Sequence, residues 1–261
     1  MTRTRARWLK DPLIRWFARR YRIDWEEARF RSPGAYPDFN SFFTRELRPG
    51  SRPVDGAPHG VVSPVDAVVS QAGTAAGDRL FQAKGRTFDL VRLLGGSPTR
   101  AAPFRGGSFV TLYLSPRDYH RIHMPVAGTL EEMVCVPGRL FSVNPATTRV
   151  VADLFARNER VVTLFETEAG PLALVLVGAV FVGSIGTVWH GTVTPPRDRE
   201  VRRWEYPAGE VELTKGQEMG RFNMGSTVVM LFGKDRARWL PSLAPGRRVR
   251  MGERIGETLP G

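Results

Sequence analysis

Cysteine occurs once, at position 135, so no intramolecular disulfide can form, and that usage fits a reducing compartment. Histidine occurs four times and is joined by no cysteine cluster or HExxH pair, which predicts a chain without a metal site. The G-x-S-x-G elbow of serine hydrolases is also missing: Gly225 directly precedes Ser226, and Val228 stands where the last glycine belongs. The N-terminus MTRTRARWLKDPLIRWF is broken by Lys10, Asp11 and Arg15 before an apolar core accumulates, so it does not read as a secretion signal. Acidic residues are in deficit, 26 against 38 Lys and Arg, and the net charge of +12 favours polyanions, either nucleic acid or an anionic membrane surface. No internal repeat and no low-complexity linker interrupts the 261 residues, which suffice for a substantial core.

Formal charge is absent between Ala169 and Pro196, AGPLALVLVGAVFVGSIGTVWHGTVTPP. By length this could span a membrane, but Val and Ile dominate and Gly178, Gly183, Gly186 and Gly191 punctuate it, which predicts two or three buried strands instead. Residues 1–22 are the opposite case, with eight Lys or Arg against the single Asp11. Asp11 can cap a helix with Pro12 at its first position, and Leu13, Trp16 and Phe17 then share a face with Arg20 beside it. Such a helix can lie on an anionic lipid surface, or it can pack on the body with a solvated basic face.

Residues 23–47 predict short helices: Asp24 can cap a turn, and Asn40 or Ser41 can start a helix with Phe42, Phe43 and Leu47 facing inward. Beyond Arg48, β-rich segments alternate with Gly and Pro turns, among them GVVSPVDAVVS (60–70), GSFVTLYLS (107–115), RVVTLFETE (160–168) and STVVMLF (226–232). Only TFDLVRLLGG (87–96) and ATTRVVADLFARN (146–158) look helical in this part. The expected fold is α+β and mainly β. A helical N-terminal region, 1–47, caps an antiparallel sandwich or barrel-like body, 48–261.

Within GRFNMGSTVVMLF (220–232), Gly225 and Ser226 sit directly against an apolar run. The step is either a turn entering a strand or a place where the backbone itself must be reached. His120 and His123 lie between Pro116 and Pro125 on a loop leaving the strand FVTLYL, where catalytic groups often sit, although ordinary hydrogen-bonded histidines are the plain alternative. Asp66, between apolar residues in SPVDAVV, needs a partner if buried, and a histidine is the obvious one. Asp66, a histidine and Ser226 would then form a trio from distant segments. His59 and His190 read as structural, with His190 a weaker substrate-pocket candidate.

Between residues 10 and 233, in order, FNSFFTREL, SPVDAVVS, FQAKG, FVTLYLSPRDYHRIHMPVAG, PGRLFSVNP, LFARNERVV, VGAVFVGSIGTVW, GTVTPP and KGQEMGRFNMGSTVVMLF resemble the bacterial, membrane-associated phosphatidylserine decarboxylases. That family is made as a proenzyme cut between Gly and Ser of an LGST motif. The motif here is Met224, Gly225, Ser226, Thr227, a small apolar change at its first position. The resemblance implies self-cleavage between 225 and 226 into a large chain (1–225) and a small chain (226–261) held as a heterodimer, with a homodimer of these as a further option. Ser226 then becomes a covalent pyruvoyl group, the cofactor. By position, His123 and Asp66 match the residues that activate the serine, and His120 matches the histidine assigned to decarboxylation.

That resemblance assigns the chemistry. A Ser226 hydroxyl activated by His123 attacks the unshielded Gly225 carbonyl, and β-elimination of the resulting ester leaves dehydroalanine, which hydrolyses to ammonia and pyruvoyl. The pyruvoyl carbonyl condenses with the amine of phosphatidylserine and withdraws electrons as CO2 departs, and His120 protonates the product carbon. Implied partners are the lipid substrate and an anionic phospholipid surface, with no nucleic acid. The implied location is peripheral, on the cytoplasmic side of the cell membrane. A pyruvoyl decarboxylase of another amine-bearing acid and a non-catalytic, basic nucleic-acid-binding β-domain are the competing readings. The basic, apolar N-terminus favours lipid.

Overall fold

Runs of Val, Leu and Ile set the architecture. A computed structural model describes residues 3–260 apart from 84, 181–183, 197, 224 and 225, with the side chains at 145 and 226 also outside the description. Its main element is a nine-stranded antiparallel sheet. Across it run Arg202–Glu205, Gly128–Val136, Arg160–Thr167, Gly170–Gly178, Ser226–Phe232, Ser108–Leu114, Ala67–Thr74 and Arg248–Val249, with Glu212–Leu213 also on Gly128–Val136. Residues 172–178 and 227–232 are buried throughout, because both faces of the sheet centre are covered. One core joins these strands to Phe88, Leu90, Phe104 and Phe155 on one hand and Ile122, Ile185 and Phe222 on the other. The charge-free stretch thus folds as strands, and among the described residues no helix is long and apolar enough to cross a membrane.

A second antiparallel sheet orders Gly191–Thr192, Ile185–Thr187, Glu218–Phe222 and Arg121–His123. Its strands approach closely. A Cβ on Gly220 would lie 2.5 Å from the Gly186 carbonyl oxygen, so only glycine fits there. The third sheet pairs Gly60–Val62, Arg254–Thr258 and Ala237–Trp239.

The helices depart from the sequence expectations for local reasons. The N-terminal helix runs from Arg7 to Tyr21, so Asp11 and Pro12 lie inside it and Ala6 is the residue before it. Asp11 pairs with Lys10, whose ammonium also donates to the Pro33 carbonyl, and the buried pair fixes the helix against the Pro33–Ala35 turn in place of capping it. Leu13, Trp16 and Phe17 do not share an environment. Phe17 packs with Ile14 and Ala18 against Tyr36, Phe39, Phe42 and Phe43, and Leu13 is partly buried beside them. Trp16 faces outward. The next helix, Phe39–Phe43, starts before Asn40 because the Asp38 carboxylate accepts from the Ser41 amide at 2.7 Å. Leu47, expected inside, is half-buried in a bridge to Ala28, whereas Asp24 caps its turn as expected.

Residues 87–96 divide between a strand, Arg86–Asp89, and one helical turn, Leu90–Leu93, because the strand pairs with Arg79–Ala83. Residues 146–158 likewise form two separate turns, Pro145–Thr148 and Leu154–Arg157. Buried Gln82 explains the break. Its amide donates to the Thr148 and Val151 carbonyls at 2.8 Å and accepts from the Leu154 amide at 3.1 Å, taking up groups that a continuous helix would pair internally.

Gly220→Ala should lower the urea midpoint by an amount worth about 2 kcal/mol or more, since the Gly186 and Gly220 strands must part to admit a methyl group. Gly56→Ala, which meets nothing within 4 Å, should change stability by less than about 0.5 kcal/mol in the same titration.

Candidate functional site

The loop between Ser108–Leu114 and Arg121–His123 carries both candidate histidines. Asp118 stiffens it: one carboxylate oxygen accepts from the Ser115 amide at 2.8 Å and hydroxyl at 2.6 Å, and the other pairs with Arg248 at 2.6 Å. His120 Nδ1 then donates to the Asp118 carbonyl at 2.8 Å, leaving the lone pair on Nε2. The ring is fully buried against Phe43 at 4.1 Å, and among the described residues Nε2 has no partner. Burial drives the His120 pKa down to about 3, so the ring is neutral at physiological pH.

His123 sits opposite Glu218 in the second sheet, with its amide donating to the Pro64 carbonyl at 2.9 Å. Its Nδ1 donates to the Gly216 carbonyl at 2.7 Å, and its Nε2 accepts from the Tyr119 hydroxyl at 3.0 Å. Burial lowers its pKa as well, opposed by the Gly216 carbonyl and the Glu218 and Asp66 charges. The ring borders a cavity of about 680 Å³ that it shares with Arg52, Tyr119, Arg121 and Glu218.

Asp66 is buried, but its partner is not a histidine. Arg52 Nε lies 2.9 and 3.1 Å from the two carboxylate oxygens, Arg52 Nη2 lies 2.6 Å from the second, and the Met251 amide donates to the first at 2.9 Å. A guanidinium fork satisfies both carboxylate oxygens at once, as one imidazole nitrogen cannot. Arg52 also holds Glu27 at 2.7 Å, which ties the helical N-terminal region to Asp66.

Gly225 lies outside the described residues, as does the Ser226 side chain, but the backbone on either side is fixed. Upstream, the Phe222 amide donates to the His120 carbonyl at 3.0 Å. Asn223 is bound to Ser184 through its amide and side chain, and it accepts from Asn40 at 3.0 Å. Downstream, Ser226 opens the central strand, level with Leu114 on one side and Gly178 on the other. The second sheet thus ends at Phe222, bound to the histidine loop, and the main sheet resumes at Ser226, beside the Leu114 end of the strand that leads into that loop. His59 and His190 are exposed, and His190 rests on Trp204 at 4.8 Å. Sequence reasoning missed Arg52, Asn40, Asn223 and Tyr119. Only Tyr119, adjacent to His120 in DYHRIH, carried a usable signal.

The family described as phosphatidylserine decarboxylase matches residues 39–257. Three relatives, each called phosphatidylserine decarboxylase proenzyme, align over nearly the whole chain. That of Methylococcus capsulatus is 55% identical over 97% of this chain and 88% of its own. That of Pseudomonas fluorescens is 55% identical over 98% and 90%, and that of Nitrosococcus oceani 56% identical over 99% and 85%. A match of this extent, taking in the histidine loop, the Asp66 turn and the Gly225–Ser226 step together, means that this chain belongs to the phosphatidylserine decarboxylase family.

Proposed function

We propose that the chain is a proenzyme that cuts its own Gly225–Ser226 bond and then converts phosphatidylserine to phosphatidylethanolamine and CO2. The observation that carries this reading is that Phe222 is bound to the His120 carbonyl and Ser226 pairs with Leu114, at the end of the strand that leads into the His120–His123 loop, in a member of this family. His123 takes the Ser226 hydroxyl proton, and the oxygen forms an ester with the Gly225 carbonyl as the amide bond breaks and its nitrogen is protonated. Asp66 supports His123 by charge, since its carboxylate favours the imidazolium without touching the ring. Elimination then frees the Gly225 carboxylate, and hydrolysis of the dehydroalanine releases ammonia.

The resulting pyruvoyl group supplies an electrophilic carbonyl that joins the substrate amine and accepts the electrons left by CO2. The residues around it suit that chemistry. His120 presents a neutral, unpartnered Nε2 in a buried setting, able to take the proton that the substrate ammonium must lose and to return it to the product carbon. Its Nδ1 contact to Asp118 keeps that lone pair oriented. Family membership and the lipid-facing character of the N-terminal helix favour phosphatidylserine over a soluble amino acid.

That helix turns Trp8 (80% exposed), Trp16 (59%) and Leu9 (37%) outward, beside Arg5, Arg7, Arg15, Arg19 and Arg20. Aromatic rings with interleaved arginines suit the interface of an anionic leaflet, so residues 1–47 form the docking region of a peripheral enzyme on the cytoplasmic face.

Intact mass checks the cleavage. The purified chain should resolve into residues 1–225 and 226–261 only after denaturation, since strand pairing on both edges holds the small piece, whereas Ser226→Ala should remain at 29.1 kDa. His123→Ala should slow cleavage roughly 100-fold or more, while His120→Ala should cleave and lose a similar factor in CO2 release. Equal effects on cleavage would end this division of roles.

Vesicle sedimentation checks the docking. Binding to anionic vesicles should weaken as salt rises, and combined Trp8→Ser, Leu9→Ser and Trp16→Ser should release the protein even at low salt while self-cleavage proceeds unchanged.

A further inference from the structure

The Asp66 carboxylate is committed to Arg52 and the Met251 amide, so it does not orient His123 by contact. Two other groups do. The Gly216 carbonyl is only an acceptor, which puts the ring proton on Nδ1, and the Nε2 lone pair then faces the Tyr119 hydroxyl at 3.0 Å. Tyr119 is 5% exposed, and its ring lies 5.6 Å from that of His123, so the phenol is held in place by packing. Burial raises its pKa, which keeps it a neutral donor. Other charged groups around His123 are Glu218 across the strand pair, Arg121 bonded to Glu218 at 2.7 Å, and the Asp66–Arg52 pair.

We infer that Tyr119 is a positioning residue for His123: the Gly216 carbonyl on Nδ1 sets the tautomer, the task that a carboxylate performs in a hydrolase triad, and the Tyr119 hydroxyl steadies the ring by holding the Nε2 lone pair until the Ser226 hydroxyl takes its place. The inference rests on the reading of His123 as the base of self-cleavage. A hydrogen bond donated to Nε2 stabilises the neutral ring, so removing it favours the imidazolium and raises the pKa of His123. Cleavage needs the neutral base. Its acid limb must therefore move to higher pH when the hydroxyl is lost.

Tyr119→Phe keeps the ring and deletes only the donor. In chains made by cell-free synthesis and followed on gels between about pH 5 and 8, the acid limb of the cleavage rate should rise by roughly half a pH unit or more, with cleavage about threefold slower on that limb. In a Ser226→Ala background, which stays whole, adding Tyr119→Phe should shift the His123 Nε2 resonance as its hydrogen bond is lost, while Nδ1 stays protonated on the Gly216 carbonyl. A parental rate profile together with an unchanged His123 spectrum in Tyr119→Phe overturns the positioning role. His123→Ala separates the two ideas: parental cleavage there removes His123 as the base, whereas slow cleavage there with a parental Tyr119→Phe removes Tyr119 alone.

Discussion

Both edges of the Ser226–Phe232 strand are hydrogen-bonded, to Ser108–Leu114 on one side and Gly170–Gly178 on the other, and the rest of the molecule is arranged around that ladder. A strand paired on two edges cannot shift by one residue without turning its buried face outward, so the position of Ser226 along the sheet is fixed by Val228 to Phe232. The same strand partner, Ser108–Leu114, leads directly into the loop that bears His120 and His123. Main-chain pairing thus sets where Ser226 and the start of the histidine loop lie relative to each other.

Around this centre the polar groups are handled in two ways. Asp66, Asp118 and Glu132 are buried with arginines, and their charges are met by bidentate or multiple donors. The two histidines are instead kept neutral by burial, each with Nδ1 bound to a backbone carbonyl. Carbonyl contacts set the tautomer without adding charge, which leaves an Nε2 lone pair on each ring, that of His123 facing the Tyr119 hydroxyl and that of His120 without a partner among the described residues.

Much of this was legible in the sequence, and the exceptions have definite causes. The strands were readable because aliphatic runs bounded by Gly and Pro fold the same way wherever both faces are covered, as Gly170–Gly178 and Ser226–Phe232 show. The short helices were not, because their ends depend on distant groups: Gln82 breaks 146–158, and the Lys10–Asp11 pair removes Asp11 from capping. Of the histidine loop, His120 and His123 were visible by their chemistry. The Asp66 partner was hidden, since Arg52 is one among many arginines and nothing local marks it. Phe17 was misplaced because a helical face cannot be divided into lipid-facing and core-facing parts until the partner aromatics, here Phe39, Phe42 and Phe43, are known.

The contacts of residues 248–251 reach back to the first part of the chain: Arg248 to Asp118, Arg250 to Glu27, and the Met251 amide to Asp66. With the central strand, they fasten residues 226–261 at several separate points. If the chain is cut at Ser226, the small piece is no longer tied through its own backbone, and refolding after full unfolding becomes a bimolecular encounter with no loop closure to assist it. The order of events in biogenesis then acquires a direction. Assembly is completed while the backbone is continuous, and the persistence of the cut molecule is governed by how slowly it opens rather than by how readily it re-forms.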